Sequence, residues 1–289
     1  MSNLFGSCGF GRYARRWQSL TAWGVIRLKS AKIVFAMATL LGVGGVTVAA
    51  SDISASATTA GRSGMTQSGL RVCGGPGSRP SRAPSAWFKI LKSKPTRANW
   101  YGALSDFTCH PTKSAFINLN GYRLLDEMGV PLRSGQYINY ADYAARSGRF
   151  LEALNILDRG MTNGTITRAD VEASELRQRV AREWDRERKY LTASELEKSR
   201  ASKSWGVLVV AGDYYLARGE PAKALEFFNL ASKIGNAARA DDLHLSTGIA
   251  LVRLGRKAEA IKQFGRVKKD TPIRDVADYW AAFAKTGIR

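Results

Sequence analysis

Histidine is nearly absent from this chain: its 289 residues contain two, His110 and His244, beside three cysteines, Cys8, Cys73 and Cys109. That scarcity removes most ways of building a catalytic or metal centre. No Cys-x-x-Cys or His-x-x-x-His spacing occurs, and the pair Cys109-His110 has only His244 to join it, so no metal is expected. A Ser-His-Asp arrangement would have to use one of the same two histidines. His244 falls on an expected helix, where a packed side chain is expected rather than a base. There is no P-loop, no GxSxG elbow and no HExxH; the loose GxGxxA match at Gly9 to Ala14 lacks a strand pattern before it and a βαβ pattern after it. No set of nucleophile, base and orienting group can be assembled, so the chain is read as a non-enzyme without cofactors.

Acidic residues are scarce as well, above all at the start. Residues 1–111 carry 14 Lys+Arg against 2 acids, residues 112–289 carry 30 against 22, and the whole chain has a net charge of +20. Residues 1–32 are basic and lead into the uncharged run 33–50, IVFAMATLLGVGGVTVAA. Positive charge, an apolar run and small residues at its end form the pattern of a secretory signal, with cleavage expected after Ala50. A retained membrane anchor is the alternative, since 18 residues is close to the minimum span; a buried soluble helix is the plain third reading. The leader is long for a signal, and a start near Val25 would leave VIRLKSAK as an ordinary basic region. Both membrane readings place the rest of the chain outside the cytoplasm, in the periplasm or an equivalent compartment, free or held at the inner membrane. There Cys73 and Cys109 could pair.

Residues 51–111 are rich in Ser, Gly, Thr, Pro and Arg and poor in apolar surface, which predicts a largely disordered linker. Within it WFKILKSKPTRANW, residues 87–100, interleaves aromatics with cations. A membrane surface or a nucleic acid would suit that mixture, but a solvated basic linker is the simpler expectation.

From residue 112 the pattern turns helical. Phe116, Leu119, Tyr122, Leu125 and Met128 recur at intervals of three. Thr167-x-x-Asp170 and Thr192-x-x-Glu195 read as helix starts, and Thr271 with Pro272 reads as a third. Most informative is an internal repetition: Gly212, Tyr215, Gly219, Ala224 and Phe228 return 36 residues later as Gly248, Leu251, Gly255, Ala260 and Phe264. Small residues at 212/248 and 224/260 would let two helices cross closely. The register resembles the tetratricopeptide repeat, a helix-turn-helix unit of about 34 residues. Setting Gly148 on Gly219 adds a diverged unit with Tyr137, Tyr140, Ala141, Ala153, Leu157 and Gly160 at packing positions. Residues 167–203 would hold a degenerate one, whose arginines alternate with acids as on a solvated helix face. Val276, Tyr279, Trp280 and Phe283 are expected to cover the open end of the stack.

The resemblance implies an all-α domain over 112–289, a short α-solenoid of such hairpins, with a concave groove lined by the first helix of each unit. Groove positions carried over are Ile138, Asp142, Ala145 and Arg146; Val209, Asp213, Leu216 and Ala217; and Leu245, Ile249, Val252 and Arg253. The Lys/Asn/Arg clamp by which one subgroup grips C-terminal carboxylates is not reproduced. The implied function is a scaffold that binds a peptide or helix of another protein in the groove. Two other readings stand beside it: a structural fragment of a larger envelope assembly, and nucleic-acid binding through the basic linker, which export would oppose.

Overall fold

A computed structural model describes residues 82–109 and 114–287. The leader, the run 33–50 with its expected cleavage site, residues 51–81 with Cys73, and His110 lie outside the described residues. Every regular element among the described residues is helical. The helices are α1 (Pro84–Ser93), α2 (Arg97–Thr108), α3 (Ala115–Glu127), α4 (Ser134–Arg146), α5 (Phe150–Thr162), α6 (Val171–Glu187), α7 (Ala193–Arg200), α8 (Trp205–Ala217), α9 (Pro221–Ile234), α10 (Ala240–Arg253), α11 (Lys257–Gly265) and α12 (Arg274–Thr286). Each packs on the next from α1 to α6 and from α7 to α12, as consecutive hairpins do in a helical repeat. First helices also touch their counterparts, α4 with α6, α8 with α10, and α10 with α12.

The linker expectation is corrected over residues 84–108, which form two packed helices. Composition suggested disorder, but spacing decides: Trp87 and Leu91 lie one turn apart on α1, and Trp100, Leu104 and Phe107 do the same on α2, all of them buried. Pro84 opens α1 at a position where a missing N–H costs nothing. Thr96 caps α2 by accepting a hydrogen bond from the Asn99 N–H. Trp87 donates its indole N–H to Asp106 Oδ2 at 2.8 Å and lies against Gly102, where a Cβ would come within 2.7 Å of the ring. The lysines of the same stretch point outward.

The recurring glycines sit where two helices cross. A Cβ on Gly212 of α8 would lie 2.6 Å from Phe228 Cδ1 of α9, and one on Gly248 of α10 would lie 2.7 Å from Phe264 Cδ1 of α11, so the same wedge is built twice. In the α4/α5 hairpin the equivalent positions hold Ala141 and Leu157, both fully buried, a slightly larger residue in place of the glycine and a smaller one in place of the phenylalanine. Ala153, Ala224 and Ala260 are likewise without exposed surface beside these crossings. Gly219 and Gly255 leave their hairpins at φ 72° and 73°, a left-handed geometry that residues with a Cβ adopt at a cost.

The expected helix starts fare unevenly. Thr192 caps α7, accepting from the Glu195 N–H at 3.3 Å. Asp170 reaches back to the Thr167 N–H at 2.8 Å, but α6 begins only at Val171. Thr271 donates to the Lys268 carbonyl instead of capping, and α12 starts at Arg274 with Pro272 outside it, because burying Ile273 holds the chain in a turn for two residues more.

Two helices are enclosed on all sides: α3, buried at every residue from Ile117 to Leu125, and α10, buried at every residue from Leu245 to Val252. Their enclosure follows from the way the array ends. Beyond covering the last hairpin, α12 returns to the first helices: Phe88 of α1 stacks on Tyr279 at 4.5 Å, Trp100 and Phe107 of α2 present edges to Tyr279, and Trp100 meets Phe283. Trp280 donates its indole N–H to the Asn120 carbonyl of α3 at 3.0 Å. An aromatic clasp thus joins the two ends of the described chain.

Candidate functional site

Closure changes what the expected groove can offer. Ile138, Asp213, Leu216, Leu245 and Ile249 are all buried, the last two completely, so a partner could not touch them without parting helices. These five positions are corrected from groove to interior; the curvature that would have left a trough brings the ends together instead. Val252 is buried as well, and six of the twelve expected positions stay within reach: Asp142, Ala145, Arg146, Val209, Ala217 and Arg253. Arg253 is a quarter exposed and tied to Glu127 of α3 at 3.2 Å and to the Leu216 carbonyl at 3.2 Å. Asp142 and Arg146 lie on the open side of α4, with Arg146 largely in solvent.

Around Asp142 the surface is charged and half open. Its carboxylate takes Arg146 from the next turn at 3.7 Å and Arg179 from α6 at 3.3 Å. Burial nevertheless raises the acid's pKa against the pull of those two guanidinium groups. Tyr143 packs beside it, with Arg146 over its ring at 5.8 Å. This rim joins α4 to α6 and is the part of the inferred groove that a second molecule could reach.

Below it lies a charged interior that the sequence reading did not anticipate. Arg123 of α3 is fully buried and gives two hydrogen bonds to Glu152 of α5, Nε to Oε1 at 2.7 Å and Nη2 to Oε2 at 2.5 Å, while Nη1 donates to Asn120 Oδ1. Burial pushes Arg123 down and Glu152 up, but their mutual attraction prevails, so both stay charged. Arg149, directly after the turn at Gly148, pairs with Asp213 of α8 at 2.8 Å and covers the Phe116 ring at 5.0 Å. Burial lowers its pKa, and Asp213 opposes that. One oxygen of Asp213, the Arg149 Nε and the Ser147 hydroxyl have no hydrogen-bond partner. Glu187, at the end of α6, is buried among these groups; burial first, then the Asp213 charge, push its pKa up to about 8. It is therefore mostly protonated at neutral pH.

This cluster ties together elements far apart in sequence. Arg149–Asp213 joins the first hairpin to the third across the degenerate unit, and Asn155 of α5 donates to the Ala217 carbonyl of the same α8. Only one signal could have pointed to it. Arg123 stands beside Tyr122 on a stripe otherwise built of Leu, Phe and Met, and a cation there needs a buried acid. His244 bonds Gln263 across the α10/α11 crossing at 3.1 Å, a packing contact between the helices of one hairpin. Cys109 is disulfide-bonded; the expected pairing with Cys73 falls outside the described residues. Among the described residues no group of His, Cys, Asp and Glu is arranged to hold a metal ion, and no helix is long and apolar enough to cross a membrane.

Compared with known proteins, the chain matches no family model, no curated protein and no solved structure.

Proposed function

We propose that this chain is a protein-binding scaffold of tetratricopeptide type, acting outside the cytoplasm. One observation carries the reading: the Gly–Phe wedge recurs at 36 residues with near-identical geometry, and the equivalent positions of the α4/α5 hairpin hold a small and a large residue in the same order, Ala141 and Leu157, both fully buried. Repeats of that kind serve chiefly to present a surface. The contact face we assign is the α4/α6 rim of Asp142, Tyr143, Arg146 and Arg179, because Arg146 is the one inferred groove position that lies mostly in solvent, with Asp142 beside it. Its mix of one acid, two arginines and a half-buried tyrosine suits a peptide or helix carrying both a carboxylate and an apolar side chain. Export draws support from the basic leader before the apolar run 33–50 and from the oxidised Cys109.

The test is crosslinking in the native cell, followed by capture with the parent chain and with Asp142→Arg, Arg146→Glu and Arg179→Glu. Loss of the same captured protein in all three variants, with helicity by circular dichroism intact, is the expected result. Undiminished capture would remove the rim from consideration. Sequencing the mature N-terminus checks the location separately: a start at Ser51 marks cleavage after Ala50.

A further inference from the structure

The cations of this protein are unevenly partnered. Along α6 to α9 most are neutralised: Arg177 by Asp158, Arg186 by Glu183, Arg188 by Asp185, Lys198 by Glu195, Arg200 by Glu197 and Glu226, and Arg218 and Lys223 by Glu220. At the clasp the situation reverses. Lys89, Lys92 and Lys94 of α1 and its C-terminal cap are exposed, as are Lys257 at the start of α11 and Lys285 at the end of α12, and none has a carboxylate partner among the described residues. The contacts that close the array join the helices that carry them. Phe88 lies on Tyr279, Trp100 touches Phe283 one turn further on, and a Cβ at Gly287 would come within 3.0 Å of Lys257 Nζ.

We infer that this lysine face of α1, α11 and α12 is an electrostatic docking surface for an anionic lipid bilayer. Three observations favour that occupant. The aromatics of the 87–100 stretch, which could have stacked on bases, are turned inward: Trp87 and Trp100 are buried and Phe88 is half-buried against Tyr279, while Lys89, Lys92, Lys94 and Arg97 face out. All five cations are lysines, hydrated point charges that suit a headgroup layer lacking fixed geometry, whereas bidentate phosphate recognition calls for arginine. The chain leading into α1 continues the same charge, with Arg62, Arg71, Arg79 and Arg82 against one acid, Asp52, over residues 51–83, directly after the apolar run 33–50. The inference does not depend on the α4/α6 rim binding anything.

Vesicle sedimentation tests it with a full chain in which Leu40→Gln, Leu41→Gln and Val43→Gln break the apolar run, so that insertion cannot mask surface attraction. Vesicles of phosphatidylcholine alone are compared with vesicles containing about 30% phosphatidylglycerol at about 50 mM and about 500 mM salt. Each lysine near an anionic surface contributes about five-fold in partitioning, so the added substitutions Lys89→Glu, Lys92→Glu and Lys94→Glu should weaken binding at least about a hundred-fold. The expected result is salt-releasable binding to the anionic vesicles only, lost in the lysine variant while its helicity persists. Equal binding to both vesicle types, or no binding to either, overturns the inference. So does undiminished binding by the lysine variant, or displacement from the vesicles by a stoichiometric single-stranded oligonucleotide, which would identify a nucleic-acid surface. Should the triple variant lose helicity, Lys257→Glu with Lys285→Glu probes the same face from the other chain end and must reduce binding about twenty-five-fold.

Discussion

Gly212→Ala isolates the force that sets the hairpin geometry. A methyl group there would lie 2.6 Å from Phe228 Cδ1 and nearer still to Cε1, where ordinary contact begins at 3.4 Å. Phe228 is fully buried and cannot swing into solvent, so either its ring leaves its rotamer or α8 and α9 move apart. Overpacking of this kind costs about 1–3 kcal/mol, and so close an approach belongs at the upper end. Replacing a helical glycine by alanine returns about 1 kcal/mol of propensity. The net expectation is a loss of about 2 kcal/mol. Phe228→Leu alone should cost about 1–3 kcal/mol by opening a cavity. The double variant Gly212→Ala/Phe228→Leu recreates the Ala141–Leu157 pair of α4/α5, so in the leucine background the alanine should become neutral or stabilising by up to about 1 kcal/mol. The coupling between the two sites is then about 2 kcal/mol or more, measurable by urea denaturation followed at 222 nm across the four proteins. A coupling below about 0.5 kcal/mol, or a stabilising Gly212→Ala in the parent, would refute the wedge argument. Gly248 and Phe264 offer the same cycle as an internal repeat of the experiment.

Other outcomes follow from the interior. Glu187 keeps its proton in the folded protein to about pH 8 but loses it near 4.5 when unfolded, so its contribution to stability is whole below pH 4.5, declines as pH rises, and is gone above about 8; Glu187→Gln should remove several tenths to a few kcal/mol of that decline. Glu152 acts oppositely: its lowered pKa gives stability present above the ordinary glutamate range and lost on acidification, and Glu152→Gln should flatten the acid limb of the melting-temperature profile. Arg149→Ala, which strands Asp213 in the interior, is expected to cost about 3–5 kcal/mol, whereas Arg149→Leu with Asp213→Leu should recover most of it in the same urea assay. Trp280→Ala should cost about 3–5 kcal/mol and loosen both ends together, seen as faster amide exchange in α1, α2 and α12 alike.

The hairpins were legible in the sequence because two glycines, an alanine and a phenylalanine recur in one register, and each of those residues meets its partner within the same hairpin. Local pairs of that kind leave a periodic trace. Contacts between distant units leave none: Arg149 with Asp213, Arg253 with Glu127, and Tyr279 with Phe88 join residues that no period relates. For that reason the groove assignment failed at Leu245 and Ile249, whose exposure depends on where the whole array turns. Residues 84–108 were misjudged for a different cause. Their lysines and serines dominate the composition, while the apolar spacing of Trp87, Leu91, Trp100, Leu104 and Phe107 carries the structure.

The clasp also fixes the number of units. An open stack can lengthen by one hairpin and fold piecemeal from any point along it. Here Trp280 must find Asn120, 160 residues away, before either end is covered. An inserted hairpin would rotate α12 off its seat on α1 to α3, and trimming either terminus would strip apolar surface from the other. Contacts of such long sequence separation slow folding, so the closure that gives the array its ends also ties its folding to the meeting of its first and last helices.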